Sequence, residues 1–495
     1  MSHKSQASYR AILKANSLFG SIQGFNILFS LIKTKAIALL LGVSGIGILG
    51  LFNATLALIS EFAKLGLDTS AVKELSFALN KKNGEDVPEI VSALNRIIIV
   101  FGVIVGVLMI VFSTVLSQFT FGNDSYKWSF VFLTLVIIFN LLTAVKLSIL
   151  QGLRQLKALA KVNLVSSFLS LLFVLPLYYF LEFKGIVLAL IVSAFINYLV
   201  SWYFVNKLAI KKVKQNSKKA FLKYKPMIKL GVMFSLSSVI ALATVYLIRV
   251  TLGYLSTLEM VGFYTAGMLI LDAYFGLIYK AIQTDYFPRI SAISHQKSKL
   301  SSAVSQQAII GLLIIIPILM LFMAFMPFVL ELLYTEKFTI LTRFMNWALL
   351  GLLFKTASWT IGITIIAKAD TNLFIKTSIL FNSLFLTLSL LGFYFFSLEG
   401  VGFAYFVYYI FHFIGLMFIT KWRYQLKLNP TFSYVFLMGL LLCSLSFCST
   451  FIDHSFYKYL ASILLFFVGL AYSIYKLNAI ANLKLFFKSL FNTSK

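Results

Sequence analysis

Fourteen long apolar runs, divided by short connections, constrain this chain more than any other feature of its sequence. They fall near 15–41, 46–66, 97–118, 128–150, 162–181, 185–206, 228–254, 260–282, 303–328, 343–366, 373–397, 400–420, 432–451 and 458–476. About 20 apolar residues cross a bilayer as a helix, so fourteen crossings use roughly 280 residues. The rest of the 495 residues suffices for connections and two tails. The runs lack the alternation of barrel strands, which leaves helices. Composition agrees: 60% of the residues are hydrophobic and 12% charged, whereas a soluble chain is about one quarter charged. The expected fold is an all-α polytopic membrane protein with about 14 transmembrane helices. Pro88, Pro226, Pro288 and Pro430 are expected in connections, and Pro176, Pro317 and Pro327 inside spans.

Enzyme chemistry finds no support in the sequence. There is no Gly-rich phosphate loop, nucleophile elbow or zinc motif, so no catalytic residues, cofactor or metal are expected. His3, His295, His412 and His454 are scattered, and Cys443 and Cys448 share one apolar run, which implies no disulfide framework. The polar, basic start Met1–Lys14 reads as a tail rather than a cleavable signal. A net charge of +27 would suit a nucleic-acid binder only if the lysines gathered on a soluble face, and none is available.

The charge instead follows the positive-inside pattern. Alternate connections hold Lys73, Lys81, Lys82 and Arg96; Lys146, Arg154, Lys157 and Lys161; nine lysines from Lys207 to Lys229; Lys280, Arg289, Lys297 and Lys299; and Lys421, Arg423 and Lys427. The intervening loops are short and carry Asp124, Glu182, Glu331, Glu336, Glu399 and Asp453 beside few cations. Both termini are therefore expected in the cytoplasm. The long basic loop reads as topology and anionic-lipid contact.

Shifting the chain by 215 residues lays Gly47-Ile48-Leu49-Gly50 over Gly262-Phe263-Tyr264-Thr265, Thr69 over Thr284 and Ser76 over Ser291. Six spans separate the copies, so they share one orientation, as in parallel-repeat transporters. The expectation is two six-helix lobes in parallel pseudo-repeat around a central cationic cavity, plus two further helices. The domains follow: 1–206 as an N-terminal lobe, 207–227 as a basic linker, 228–420 as a C-terminal lobe, and 421–495 as helices thirteen and fourteen with a basic tail.

Charges inside spans cost about 2.5–3.5 kcal/mol each on insertion scales, and they mark candidate site residues. Asn16, Gln23, Asn26, Ser30 and Lys33 recur at helical steps along one face of span one. Lys35 is about 200° around the same helix and reads as snorkelling or packed on span seven. Lys33, Arg249 and Lys355, with Gln23 and Asn26, are the candidate cargo-binding residues, suited to an anion such as phosphate. The competing reading for each cation is a helix-end residue reaching the headgroups. Glu61 and Lys64 are three residues apart and read as an ion pair; Asp272 reads as a coupling residue or as the partner of a cation.

Several stretches resemble the Wzx-type polysaccharide flippases of the multidrug/oligosaccharidyl-lipid/polysaccharide exporter superfamily. Lys33-Thr34-Lys35 through Leu41-Gly42-Val43-Ser44-Gly45-Ile46-Gly47 is similar to that family's first helix and outer turn. Leu150-Gln151-Gly152-Leu153-Arg154 resembles its fourth-to-fifth connection, and Phe287-Pro288-Arg289-Ile290-Ser291 its Pro-x-Leu-Ser segment. Glu336-Lys337-Phe338, Lys355 and Ala367-Lys368-Ala369 resemble the O-antigen and enterobacterial-common-antigen translocase branch. The resemblance implies a bacterial inner (cytoplasmic) membrane protein that moves undecaprenyl-diphosphate-linked oligosaccharide to the outer leaflet by alternating access. It also implies a place beside polysaccharide polymerase and chain-length proteins. A peptidoglycan-precursor flippase and a cation-coupled multidrug exporter of the same fold are the alternatives.

Overall fold

A computed structural model describes the backbone of residues 3–81, 85–211, 213 and 224–481 and, with few exceptions, the side chains from Leu28 to Ile452 and on to residue 479. Among the described residues the regular structure is helical throughout, without strands. In chain order it comprises α1 (His3–Lys64), α2 (Leu67–Lys81), α3 (Val87–Val111), α4 (Ser113–Phe121), α5 (Lys127–Gly152), α6 (Leu156–Leu181), α7 (Gly185–Asn206), α8 (Lys225–Leu255) and α9 (Leu258–Leu269). A π-helical turn (Ile270–Tyr274) joins α9 to α10 (Phe275–Ala292). Then come α11 (Lys297–Leu333), a 3-10 turn (Glu336–Leu341), α12 (Thr342–Ala367), α13 (Thr371–Tyr424), α14 (Pro430–Ser449) and α15 (Ser455–Ala481).

Ten described helical segments are long and apolar enough to cross a membrane. Three of them hold two crossings each. Segment Leu28–Lys64 is broken at Gly42, whose φ of 64° and ψ of −165° suit a residue without Cβ. Segment Leu156–Asn206 turns at Glu182, and segment Thr371–Tyr424 at Phe396 and Ser397. The α9–α10 pair supplies one more, which accounts for the fourteen expected crossings.

On α3, Ile90, Val91, Leu94, Ile97 and Ile98 are buried, while Val100, Val103, Ile104 and Val107 are exposed. A helix apolar on both faces is what lipid on one side and protein on the other require. Pro88, Pro226 and Pro430 open helices, where a missing N–H costs nothing. Pro288 lies inside α10 rather than in a connection; there it removes one ladder bond and its ring crowds the carbonyl four residues back, a cost that the packing of the helix must offset.

Contacts divide the chain into two compact units, Met1–Gly262 and Phe263–Lys495. In the first, α1 packs on α6 and α8, α2 on α5 and α8, and α5 on α3 and α7. In the second, α12 packs on α13 and α11, and α11 on α14 and α15. Helix α8, which begins the second repeat copy, thus belongs by contact to the first unit. Most of the basic segment 207–227 lies outside the described residues.

The 215-residue repeat extends well beyond the two spans that suggest it. Helix α5 runs Lys127–Gly152 and α12 runs Thr342–Ala367, so both ends are displaced by that interval. Helices α6 and α13 begin at Leu156 and Thr371, again at that interval. Arg154 and Ala369, at equivalent positions, have φ of 56° and 55°, and Glu182 and Ser397 have 47° and 53°. Gly47 and Gly262 meet reciprocally: a Cβ on Gly47 would stand 2.1 Å from the Leu258 carbonyl oxygen, and one on Gly262 would stand 2.1 Å from that of Val43. Val43 and Leu258 are themselves repeat equivalents, as are Ser44 and Glu259, whose Oγ donates to Oε1 over 3.4 Å. The pairing is reciprocal within the first unit: residue i meets j, and j's equivalent meets i's.

Candidate functional site

The second unit places the expected Lys355 and Asp272 together. The π turn Ile270–Tyr274 carries Asp272, and its Oδ1 lies 3.6 Å from Lys355 Nζ on α12. The wide turn shifts the side-chain sequence along the helix, and such turns recur at functional positions. Lys355 Nζ also donates to Tyr405 Oη over 3.2 Å and sits 5.4–5.7 Å from the ring centres of Tyr279, Tyr405 and Tyr409. Tyrosine rings carry negative density on their faces and on the hydroxyl oxygen, so three of them around an ammonium supply attraction where lipid supplies none. The Tyr279 hydroxyl pairs with Thr356 Oγ1 over 3.0 Å, and His412 packs tilted on Tyr408 and edge-on to Tyr409. Lys355 is 18% exposed and Asp272 59%, so the carboxylate is open while the ammonium is enclosed.

The first unit contains a cavity of about 710 Å³. Glu61 and Lys64, one turn apart on α1, form a 3.1 Å ion pair on its wall, and Lys64 reaches Asp68 at 3.8 Å. Asn53, Ser60, Asn140, Thr143, Ser193 and Asn197 complete its polar lining. The Ser60 hydroxyl is buried and has no partner among the described residues.

The two sites occupy equivalent places in the repeat. Displaced by 215 residues, Ala57 becomes Asp272, Lys64 becomes Tyr279 and Asn140 becomes Lys355. Leu190, Ser193, Ala194 and Asn197 become Tyr405, Tyr408, Tyr409 and His412. One copy therefore carries rings that surround a cation, and the other carries small and polar residues that leave a cavity. The spans alone did not point to the Asn140, Asn197 and tyrosine positions. Carrying the repeat interval past the first two helices of each copy is the signal that finds them.

Lys33 is partly buried on α1. Arg249, on α8, donates from Nη1 to the Gly50 carbonyl over 3.1 Å and so ties span seven to span two. The side chains of Gln23 and Asn26 lie outside the described residues. No cluster of three or more metal-ligating side chains occurs among the described residues.

At the edge of the second unit, Asp370 caps α13. It accepts from the Leu373 N–H over 3.3 Å, Arg423 Nε over 3.3 Å and the Tyr424 hydroxyl over 3.2 Å. Desolvation pushes its carboxyl upward, but these three donors together hold it below the ordinary carboxylate range. At the start of α8, desolvation, with Glu89, Asp86 and Glu74 nearby, pushes the Tyr224 phenol up to about 12.

The sequence matches the family described as polysaccharide biosynthesis protein over residues 36–342, more than half of the chain. The chain belongs to this family. No curated protein sequence matches it significantly. Among solved structures, the lipid II flippase MurJ in an inward closed conformation is similar, with a TM-score of 0.69 at 15% identity, over 94% of this chain and 99% of that one. An inward-facing multidrug resistance MATE transporter of the MOP superfamily gives 0.65 at 15% identity, over 83% and 95%. A MOP superfamily transporter from Pyrococcus furiosus, described as having a binding pocket of reversed polarity, gives 0.57 at 16% identity, over 87% and 94%. This polysaccharide biosynthesis family member is thus a multi-pass membrane protein with the two-lobed MurJ/MATE fold, as the motif resemblance to Wzx-type flippases implies.

Proposed function

We propose that this protein flips an undecaprenyl-diphosphate-linked oligosaccharide, the repeat unit of an O-antigen or related surface polysaccharide, from the cytoplasmic to the outer leaflet of the bacterial inner membrane. Both termini lie in the cytoplasm, and alternating access exposes the cargo site to each side in turn. The observation that carries the reading is the 710 Å³ cavity of hydroxyls and carboxamides among membrane-spanning helices. Amides and hydroxyls both donate and accept, which is what sugar hydroxyls require. Lys33, Arg249 and Lys355 serve the diphosphate, with Gln23 and Asn26 on the polar face of span one. The Glu61–Lys64 and Asp272–Lys355 pairs keep the acids neutralised, which disfavours a cationic drug as cargo.

A peptidoglycan precursor as cargo is the second reading, favoured by the coverage of the MurJ-like fold. A strain lacking the protein separates the two. Loss of surface polysaccharide with lipid-linked oligosaccharide accumulating on the inner leaflet, restored by the intact gene, supports the first reading, and the trapped lipid identifies the cargo. A trapped peptidoglycan precursor supports the second, and normal export with no trapped lipid sinks both. Ala194→Tyr, which installs the ring that the second copy carries as Tyr409, fills the cavity and stops export in a normally inserted protein.

A further inference from the structure

A second, smaller pocket of about 310 Å³ lies where the start of α12 meets the turn between α14 and α15. Arg343, Asn346 and Trp347 line it from α12, and Phe451, Asp453 and Lys458 from the turn and α15. We infer that this pocket binds a saccharide unit on the extracytoplasmic face, a site separate from the transport cavity; that it faces outward rests on the topology proposed above.

The repeat argues that these residues are placed for a purpose. Arg343, Asn346 and Trp347 are equivalent to Trp128, Val131 and Phe132 in the first copy. There, Trp128 and Phe132 are 68% and 54% exposed, as apolar residues facing lipid are. In the second copy the same face carries a cation, a carboxamide and an indole, and α14 and α15, which have no counterpart in the first copy, cover it. The polar exchange therefore accompanies the two extra helices.

The chemistry selects the class of ligand. Arg343 and Lys458 oppose Asp453 and nearby Glu399, which lies 3.8 Å from Arg343, so the wall favours neither an anion nor a cation. Trp347 Nε1 donates to Glu399 Oε1 over 3.3 Å, which fixes the indole in place. The Arg343 guanidinium lies 5.1 Å from the centre of the Phe451 ring. Asn346 is 3% exposed, and its Oδ1 has no partner among the described residues. A buried acceptor calls for a donor, and its carboxamide can offer both roles to a ligand. Aromatic edges, a carboxamide and balanced charges suit a ring of hydroxyls, and the volume stands at the small end of ligand pockets.

The test replaces Phe451 with photoreactive p-benzoylphenylalanine in the full-length protein, in cells making surface polysaccharide. The protein is irradiated and the adduct identified by mass spectrometry. An adduct carrying glycosyl masses is expected, with its yield lowered about fivefold to tenfold by Asn346→Ala and by Asp453→Ala. Asp453 is exposed, so its variant stays informative even where Asn346→Ala fails to fold. No adduct, an adduct with phospholipid alone, or a glycosyl adduct indifferent to both substitutions overturns the inference. Polysaccharide export in the same strains keeps the two readings apart: loss of the adduct with export dependent on the protein sinks only the pocket, whereas export independent of the protein sinks the flippase reading.

Discussion

Removal of the Asp272 charge tests the second-unit site. At 3.6 Å and an effective dielectric of 20, the gross attraction to Lys355 is about 4–5 kcal/mol. Asp272 is 59% exposed, however, and water screens most of that, because exposed pairs measure about 0.2–1 kcal/mol. Lys355 is mostly buried and keeps the Tyr405 hydroxyl and the Tyr279 and Tyr409 rings when the acid goes, each ring contributing about 0.5–1 kcal/mol. Single substitutions mix these losses with solvation changes of opposite sign, since Lys355→Met also removes the cost of a cation in a span. A double-mutant cycle cancels the solvation terms. Asp272→Asn, Lys355→Met and their combination, unfolded in bicelles by steric trapping, should couple by about 1 kcal/mol. Coupling below about 0.3 kcal/mol, the scatter of independent sites, refutes the reasoning that the π turn exists to present Asp272 to the cation. If Lys355 also holds the cargo, Lys355→Met stops glycan export while Lys355→Arg, which keeps the charge, retains part of it.

Three further outcomes follow from the geometry. Gly47→Ala and Gly262→Ala each force a carbonyl back from a Cβ with no room, lowering stability by about 1–3 kcal/mol; because one separation relieves both, the double variant falls short of their sum in the same unfolding assay. The Asp370 carboxyl is held low by its three donors, so its stabilisation is complete above about pH 4 and fades as pH falls through its folded value; the difference in thermal midpoint between the protein and Asp370→Asn should shrink on acidification, and a constant difference contradicts the assignment. With Cys443 and Cys448 replaced by alanine, Ser125→Cys should react with an impermeant maleimide on intact cells and Lys157→Cys only after permeabilisation; the opposite pattern reverses the topology.

The crossings were legible because a bilayer imposes a length and an apolarity that side-chain detail cannot disguise. The kinks were partly legible: Gly42 lay at an expected outer turn, while Pro288, expected in a connection, lies inside a helix. That Asp272 partners a cation was one of its two readings; that the cation is Lys355 was not legible, because it depends on which faces of two helices meet and on a π turn that no residue pattern marks. Arg249 read as a cavity cation, and the structure shows its Nη1 donating to the Gly50 carbonyl. Polar residues without charge, such as Asn140 and Asn197, stood out little among apolar runs because an amide within a span is far less conspicuous than a lysine.

The repeat explains why one backbone plan supports two chemistries. The ends of α5 and α12 and the turns after α5 and α6 coincide at an interval of 215 residues, so the divergence between the copies lies in side chains and in the π turn Ile270–Tyr274, whose counterpart 55–59 is plain α-helix. At position 140 a carboxamide needs only hydrogen bonds, and small neighbours at 193 and 194 leave the space in which a ligand supplies them. At position 355 an ammonium needs counter-charge and polarisable surroundings, and Asp272 with Tyr279, Tyr405 and Tyr409 provides both. Neither arrangement can be transplanted one residue at a time: lysine at 140 would face Ala57 where Lys355 faces Asp272, and asparagine at 355 would sit among rings that leave it little to bond. The exchanges at 57, 64, 140, 190, 193 and 194 therefore form a coupled set, in which an open polar site and a filled cationic one each depend on the neighbours that changed with them.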